Sequence, residues 1–265
     1  MRKQGILTLL VCIVAVLAVA GAGCTGTTEE NGAAGEARLK DSYIVGIDGA
    51  YPPFSYVDKD GKAQGFDVES MRWIAEKHGI DVTFMAVDWD AIIPTLQAGK
   101  IDMVYAGMTI TPERQAVVNF TNPYWTVDQD VVAREDSNVT IEDVLAGRAV
   151  LGTQRGCTAA LWIEENLIET GKMPAANLKL YDNTPLAVND LEIGRIDAVM
   201  YDDLSLKDII EGKPVKVIGS VETGEQFGVA IRKEDTALLE FMNQALAELQ
   251  ADPYWEELID KYNLR

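Results

Sequence analysis

Cysteine and histidine are scarce in this chain of 265 residues, which contains three cysteines and one histidine. The cysteines stand at positions 12, 24 and 157, a set that excludes a disulfide framework and a cysteine-rich metal site. The single histidine, His78, follows Lys77 at the predicted end of a helix, where a solvated side chain is expected rather than a catalytic pair. The body of the protein therefore depends on its apolar core for stability.

Motifs of cofactor chemistry are absent as well. No HExxH or Walker motif occurs, and the single G-x-G-x-x-G spacing, at residues 21–26, has no predicted strand before it, so the sequence predicts no metal, nucleotide or other cofactor. Basic residues are in the minority, with 23 Lys and Arg against 42 Asp and Glu and a formal net charge of −19. Such a surface repels nucleic acid and anionic lipid headgroups, although solubility is the larger part of its explanation. No nucleic-acid partner is expected.

One apolar run, Ile6 to Ala20, follows a basic start and is interrupted only by Thr8. It is short for a membrane span, which needs about 20 residues, and small residues follow it, so residues 1–23 are predicted as an export signal peptide. Cys24 is then the predicted lipid attachment site, and residues 24–40 are a flexible linker. Gly21 stands where such signals usually carry Leu or Val, which leaves cleavage open. An uncleaved N-terminal anchor is the alternative, and either form tethers the protein to a membrane.

A pattern of Leu-x-x-Gly-(Lys/Arg)-Ile-Asp-x-Val occurs twice, at residues 96–104 and 191–199. Each copy reads as a helix end, a glycine suited to the left-handed conformation, and a short apolar strand. The copies are too far apart for a solenoid repeat. They predict two α/β lobes of similar build with a cleft between them, because open α/β sheets bind ligands at their strand ends.

Capping signals mark several helices. Asp67 is predicted to cap a helix through Lys77, and Thr111 and Thr140 are predicted to cap two further helices. Residues 122–135 change in character and are predicted to cross into the second lobe.

Polar residues follow the predicted strands where the cleft would lie. Gly107 exposes backbone groups, Thr109 adds a hydroxyl, and Arg114 stands in the first turn of a helix, where a guanidinium can grip a carboxylate in a bidentate fork. A surface arginine paired with a neighbouring acid is the alternative. Residues 155–158 open a helix in the other lobe, whose backbone amides can face the same anion.

Carboxylates and aromatic rings add the features of a cation site. Asp202 follows the second copy of the repeat, where an isolated carboxylate is costly unless it meets a cation. Asp48 ends the first strand beside Tyr51 and Phe54, a combination that suits a ligand with an apolar stem and a polar tip. Lobe packing is an equal alternative for either ring. None of these residues indicates catalysis.

Five segments together resemble the family 3 extracellular solute-binding proteins, the polar amino-acid receptors of ABC importers. They are Asp48–Phe54, Gly65–Asp67, Asp88–Asp90, Gly99–Asp102 and Gly107–Arg114, and the match runs in order from about Asp41 to the C-terminus. The resemblance implies an α/β type II periplasmic-binding-protein fold, in which two lobes are joined by two hinge strands and close on the ligand. Lobe 1 would comprise residues 41–128 and 227–265, and lobe 2 residues 129–226.

The resemblance also implies individual roles. Arg114, with Thr109 and Gly107, would clamp the ligand's carboxylate, Asp202 would bind its ammonium group, and Asp48 would read a basic or amide side chain. Two departures stand out, because Cys157 replaces a hydroxyl residue and Ala106 stands where many relatives have serine. The complete set of expected ligand-binding residues is Asp48, Tyr51, Phe54, Gly107, Met108, Thr109, Arg114, Arg155, Cys157, Thr158 and Asp202.

The expected function is that of an extracytoplasmic, membrane-tethered and monomeric receptor, which captures a free L-amino acid and delivers it to ABC permease subunits. The ligand is expected to be polar or basic, although Arg155 beside the cleft would favour an acidic one. Two alternatives remain. One is an enzyme on the same fold, a cyclohexadienyl dehydratase acting on prephenate or arogenate, which needs a general acid in the cleft. The other is a ligand-sensing module of a signalling protein.

Overall fold

The computed structural model describes residues 39–265. The predicted signal peptide, Cys12, Cys24 and all but the end of the predicted linker lie outside the described residues. Within residues 39–265, none of the helices combines the length and the apolar character that crossing a membrane requires.

The strands of the described part are mostly short, and two long ones lie in the second half of the chain. They are β1 Ser42–Ile47, β2 Ala50–Tyr51, β3 Ser55–Val57, β4 Ala63–Gln64, β5 Asp81–Ala86, β6 Met103–Val104, β7 Asn119–Phe120, β8 Trp125–Arg134, β9 Leu151–Gln154, β10 Leu178–Tyr181, β11 Ala198–Asp202, β12 Val215–Phe227 and β13 Ala230–Ile231.

Helices alternate with these strands, which gives the α/β class that the sequence predicts. They are α1 Phe66–His78, α2 Trp89–Gln97, α3 Pro112–Val117, α4 Ile141–Leu145, α5 Thr158–Ile163, α6 Thr184–Glu192, α7 Asp203–Ile209, α8 Thr236–Gln250 and α9 Pro253–Lys261. A π-helical turn, Glu164–Ile168, follows α5 directly, and a 3₁₀ turn spans Ala175–Asn177.

The caps of two helices confirm the sequence prediction and a third does not. Thr111 accepts a hydrogen bond from the backbone of Arg114 at the start of α3, and Thr140 forms a capping box at the start of α4. Asp67 does not cap α1, because the helix begins at Phe66 with Gly65 at the N-cap position and no side-chain cap. The carboxylate of Asp67 instead turns inward to a tertiary contact described below.

Two five-stranded sheets share one plan. The first has the order β5-β1-β6-β13-β7 and the second β10-β9-β11-β8-β12. In each sheet the first three strands are parallel, and the fourth and fifth each run antiparallel to the strand before. The central strands carry the core, since Val45 of β1 and Val199 of β11 are both fully buried. A small third sheet, β2-β3-β4, lies beside α1 in the chain.

The long strands β8 and β12 pair antiparallel over most of their length. Both belong to the second sheet, and the chain enters β8 from β7 of the first sheet and leaves β12 for β13 of the first sheet. The predicted lobe boundaries at 128/129 and 226/227 fall inside these two strands. The boundaries themselves stay a prediction.

The two copies of the repeat make the same contacts in their two sheets. Asp102 accepts a hydrogen bond from the backbone N–H of Ile44, and Asp197 accepts one from Val150. The backbone N–H of each aspartate in turn donates to the carbonyl of that partner, Ile44 for Asp102 and Val150 for Asp197. The isoleucine of each copy covers a glycine of the neighbouring strand, Ile101 over Gly46 and Ile196 over Gly152, with no room for a β-carbon. The repeat therefore locks the edge of a parallel strand pair in both sheets.

This packing predicts that a β-carbon at Gly152 lowers the stability of the fold and that a smaller side chain at Ile196 restores part of it. A β-carbon on Gly152 would lie 2.5 Å from Cδ1 of Ile196, so Gly152→Ala should lower the free energy of unfolding by about 1–3 kcal/mol through overpacking. Ile196→Val removes that carbon, and the double variant Gly152→Ala/Ile196→Val should regain part of the loss. Urea unfolding of the three variants and the wild type measures this, and an unchanged stability of Gly152→Ala would contradict the contact.

Candidate ligand-binding site

A cavity lies where strands of the two large sheets end. The segment after β6 supplies one wall, and the end of β11 with the start of α5 supplies the opposite wall. The lining residues are Tyr51, Trp89, Ala106, Gly107, Thr109, Arg114, Cys157, Thr158, Tyr201 and Asp202.

Seven of the eleven sequence-predicted residues line this cavity: Tyr51, Gly107, Thr109, Arg114, Cys157, Thr158 and Asp202. The other four do not. Met108 and Phe54 are buried in the core, where Phe54 stacks on Tyr51 with ring centroids 5.4 Å apart. Asp48 and Arg155 lie close by, outside the lining, and their contacts are given below.

Arg114 is the cation of the site. Its side chain is only 8% exposed, and its guanidinium donates to the carbonyl oxygens of Thr109, at 2.8 Å, and Gly156, at 3.1 Å. The guanidinium also lies over the Trp89 ring, 5.4 Å from its centroid. Burial lowers the pKa of Arg114 from its usual value, yet a guanidinium stays charged in proteins. No carboxylate within residues 39–265 forms a salt bridge with it, so a buried positive charge faces the cavity.

Asp202 is the acid of the site. Its carboxylate accepts hydrogen bonds from the Tyr51 hydroxyl, at 2.7 Å, and from Nε2 of Gln129, at 2.5 Å. Burial, together with the nearby negative charge of Glu225, raises the pKa of Asp202 to about 7. A cation placed beside Asp202 would remove this penalty on the ionised form.

The loop at Gly107 is fixed by the carboxyl group of Asp67. Gly107 has φ of 57°, and a β-carbon there would collide with the Tyr51 ring, so only glycine suits both the conformation and the contact. Oδ2 of Asp67 accepts from the N–H of Gly107, at 2.7 Å, and from the Tyr124 hydroxyl, at 2.9 Å. Burial raises the pKa of Asp67 to about 8. The aspartate of the Gly-Phe-Asp segment thus orients the binding loop.

Asp48 joins the two walls outside the cavity. Its carboxylate accepts from Nε2 of Gln154 and from the backbone N–H of Ala50, both at 2.8 Å. Burial raises the pKa of Asp48, and these hydrogen bonds oppose the rise. Asp48 lines a neighbouring pocket together with Asp88 and Asp182, which makes that space acidic.

Contacts between the walls continue along the rim. Nε1 of Trp89 donates to the carbonyl of Gly156 at 3.2 Å. Arg155 is about half exposed and lies 3.6 Å from Asp90 and 3.9 Å from Asp182. Its charge is therefore directed at the acids of the rim.

Cys157 has an inert thiol. Its Sγ lies 3.2 Å from the Thr153 hydroxyl, and burial raises the pKa of Cys157 to about 11. A thiolate nucleophile is not available at neutral pH. Within residues 39–265, no cluster of three or more His, Cys, Asp or Glu side chains has the arrangement of a metal site.

Sequence reasoning missed several residues of the site. Trp89 and Tyr201 line the cavity, and Gln129 donates hydrogen bonds to both Asp202 and Glu225. Tyr201 directly precedes Asp202 at a strand end, so its position was a usable signal. Gln129 and Glu225 come from the middle and the end of long strands, where polar residues normally face solvent.

The family follows from comparison with known proteins. Residues 43–265 match the bacterial extracellular solute-binding proteins, family 3, and the chain belongs to this family. The L-cystine-binding protein TcyJ of Escherichia coli (strain K12) is 30% identical over 257 residues, which cover 96% of this chain and 94% of that protein.

Solved structures agree with the two-lobed fold. An ancestral arginine-binding protein bound to arginine is 34% identical, with a TM-score of 0.77, and covers 85% of this chain and 99% of its own. The ancestral amino acid-binding protein AncCDT-1, a precursor of cyclohexadienyl dehydratase, is 33% identical with a TM-score of 0.74, over 84% of this chain and 95% of its own.

The buried carboxyl of Asp67 predicts a distinct dependence of stability on pH. The unfolded chain ionises this group above about pH 4, whereas the folded protein keeps it protonated up to its pKa of about 8. Between these values the folded state is disfavoured by about 1.36 kcal/mol per pH unit. Asp67→Asn, which has no such proton, should show a shallower fall in the free energy of unfolding from pH 5 to pH 8. Parallel slopes in wild type and variant would contradict the protonated Asp67.

Proposed function

We propose that this protein is an extracytoplasmic receptor that captures a free L-amino acid and delivers it to an ABC importer. One observation carries the proposal: the buried guanidinium of Arg114 and the buried carboxylate of Asp202 face the same cavity. A zwitterionic amino acid presents the two complementary charges. Arg114 with Thr109 would bind its α-carboxylate, and Asp202 its α-ammonium group.

Relatives support the ligand class. The names of similar proteins include binding proteins for L-cystine, arginine and histidine. The acidic space beside Asp48 supports a polar or basic side chain, because Asp48, Asp88 and Asp182 together attract a cation. Tyr51, stacked on Phe54, and Trp89 would hold the apolar part of the side chain.

The mode of action follows from the two walls of the cavity. The two lobes would open about β8 and β12 to admit the ligand and close as the contacts of Gly156 and Gln154 reform. The closed receptor, monomeric and tethered through Cys24 or an N-terminal anchor, would then dock on permease subunits. No cofactor or metal is needed, since capture involves no covalent chemistry.

Removal of the cation tests the proposal. Arg114→Met keeps the unbranched apolar stem of the side chain but removes the guanidinium that lies over Trp89, and should abolish stabilisation by every amino acid that stabilises the wild type. Losing one partner of a buried charge pair costs about 3–5 kcal/mol, which is more than a hundredfold in affinity. Arg148→Met, at an exposed arginine, is the matched control. Thermal shift with the twenty L-amino acids and L-cystine, then calorimetry, measures the effect, and retained affinity would refute the assignment.

Asp48 is predicted to set the preference for a cationic side chain. Asp48→Asn removes the charge but keeps an acceptor for Gln154. The affinity for L-arginine should fall by about tenfold or more, because a charged hydrogen bond becomes neutral. The affinity for L-glutamine should stay within about threefold of the wild-type value. Calorimetry with both ligands measures these affinities. Equal losses of affinity for the two ligands would show that Asp48 only holds the two walls together and does not contact the ligand's side chain.

A dehydratase remains the second candidate function. The observation that favours it is Asp202, whose pKa of about 7 gives a buried carboxyl able to donate a proton at neutral pH. Incubation with prephenate, followed by detection of phenylpyruvate, separates the two functions. A receptor binds without forming product.

A further inference from the structure

A second carboxylate, that of Glu225, reaches the cleft from the long strand β12. The register of β12 against β8 shifts between Val221 and Glu225. Oδ1 of Asp128 holds the shifted segment by accepting from the N–H groups of Thr223 and Gly224, both at 2.8 Å. The shift adds two residues of β12 against β8, so Glu225 keeps the side of the strand that Val221 faces. Glu225 is only partly exposed and lies against Thr109 of the cavity wall.

Glu225 bridges the two walls through its two oxygens. Its Oε2 accepts a hydrogen bond from the hydroxyl of Thr109 at 2.9 Å, and its Oε1 accepts from Nε2 of Gln129 at 3.0 Å. The same Nε2 donates to Asp202. One amide thus holds two carboxylates side by side, next to the hydroxyl that lines the cavity.

This arrangement is short of positive charge. Two carboxylates share a single amide donor, and the proximity of Glu225 is one reason why ionised Asp202 is disfavoured. Gln129 is fully buried, and its Oε1 has no hydrogen-bond partner within the described part of the chain. Several acceptors and too few donors lie together beside the cavity, and a buried acceptor without a donor is destabilising.

We infer that Glu225 is a second ammonium-binding carboxylate, which acts with Asp202 on the primary amino group of the ligand. The inference rests on the proposed function and adds to it a specificity-determining residue. A primary ammonium has three N–H donors, which Asp202, Glu225 and the oxygen of Thr109 or Gln129 can accept. Its charge offsets the repulsion between the two carboxylates. The site therefore requires a free primary amine, whatever the side chain of the ligand.

The variant Glu225→Gln tests the inference. Glutamine keeps an oxygen that accepts from Thr109, so the positioning of that hydroxyl is preserved while the charge is lost. Every one of the twenty L-amino acids and L-cystine that binds the wild type should bind the variant about tenfold more weakly, the difference between a charged and a neutral hydrogen bond. The matching analogue without the α-amino group, such as 5-guanidinopentanoate for L-arginine, should bind the variant no more weakly than the wild type.

Glu222→Gln is the matched control, because Glu222 is exposed on the same strand and its loss changes the net charge equally. Affinities in Glu222→Gln should equal those of the wild type. Equal affinities in Glu225→Gln and wild type would overturn the inference and leave the proposed function standing. Equal losses of affinity for the amino acid and its analogue would also overturn the inference, because Glu225 would then only position the segment that carries Thr109. A wild type that binds none of the probes would overturn the proposed function together with the inference.

Discussion

The buried charge of Arg114 is the constraint on which the rest of the site depends. Its side chain is 8% exposed, and its guanidinium contacts carbonyl oxygens and an aromatic ring. Burial of this charge carries a desolvation cost that a bound anion would relieve. The fold holds the side chain in place through the Thr111 cap at the start of α3 and the carbonyl of Thr109. The positive charge is therefore built into the wall before any ligand arrives.

The opposite charge comes from the second sheet by the same construction. Asp202 ends β11, the strand that begins in the second copy of the repeat, and the segment carrying Gly107 and Thr109 follows β6, the strand of the first copy. Because the two sheets share one plan, their corresponding strand ends can face each other. A ligand with two opposite charges at a fixed separation matches such a pair, and a ligand with one charge leaves a buried partner unmatched.

Much of the fold and part of the site could be predicted from the sequence, because local signals carry them. The repeat predicted two similar units, and Thr111 and Thr140 marked helix starts that the structure confirms. Asp67 was misread, because the same residue type that caps helices can instead reach a distant N–H group, and only the tertiary fold decides. Gln129 and Glu225 were missed for a related reason. Their surroundings depend on pairing between strands far apart in sequence, which no local residue pattern predicts.

The position of Cys157 has a practical consequence. Within residues 39–265 it is the single cysteine, it lies at the wall of the cleft, and its thiol is shielded and protonated at neutral pH. The solvated thiolate is the form of cysteine that attacks an alkylating reagent. The rate at which iodoacetamide labels this sulfur therefore reports how often the cleft between the two lobes opens, and it does so without an engineered fluorophore.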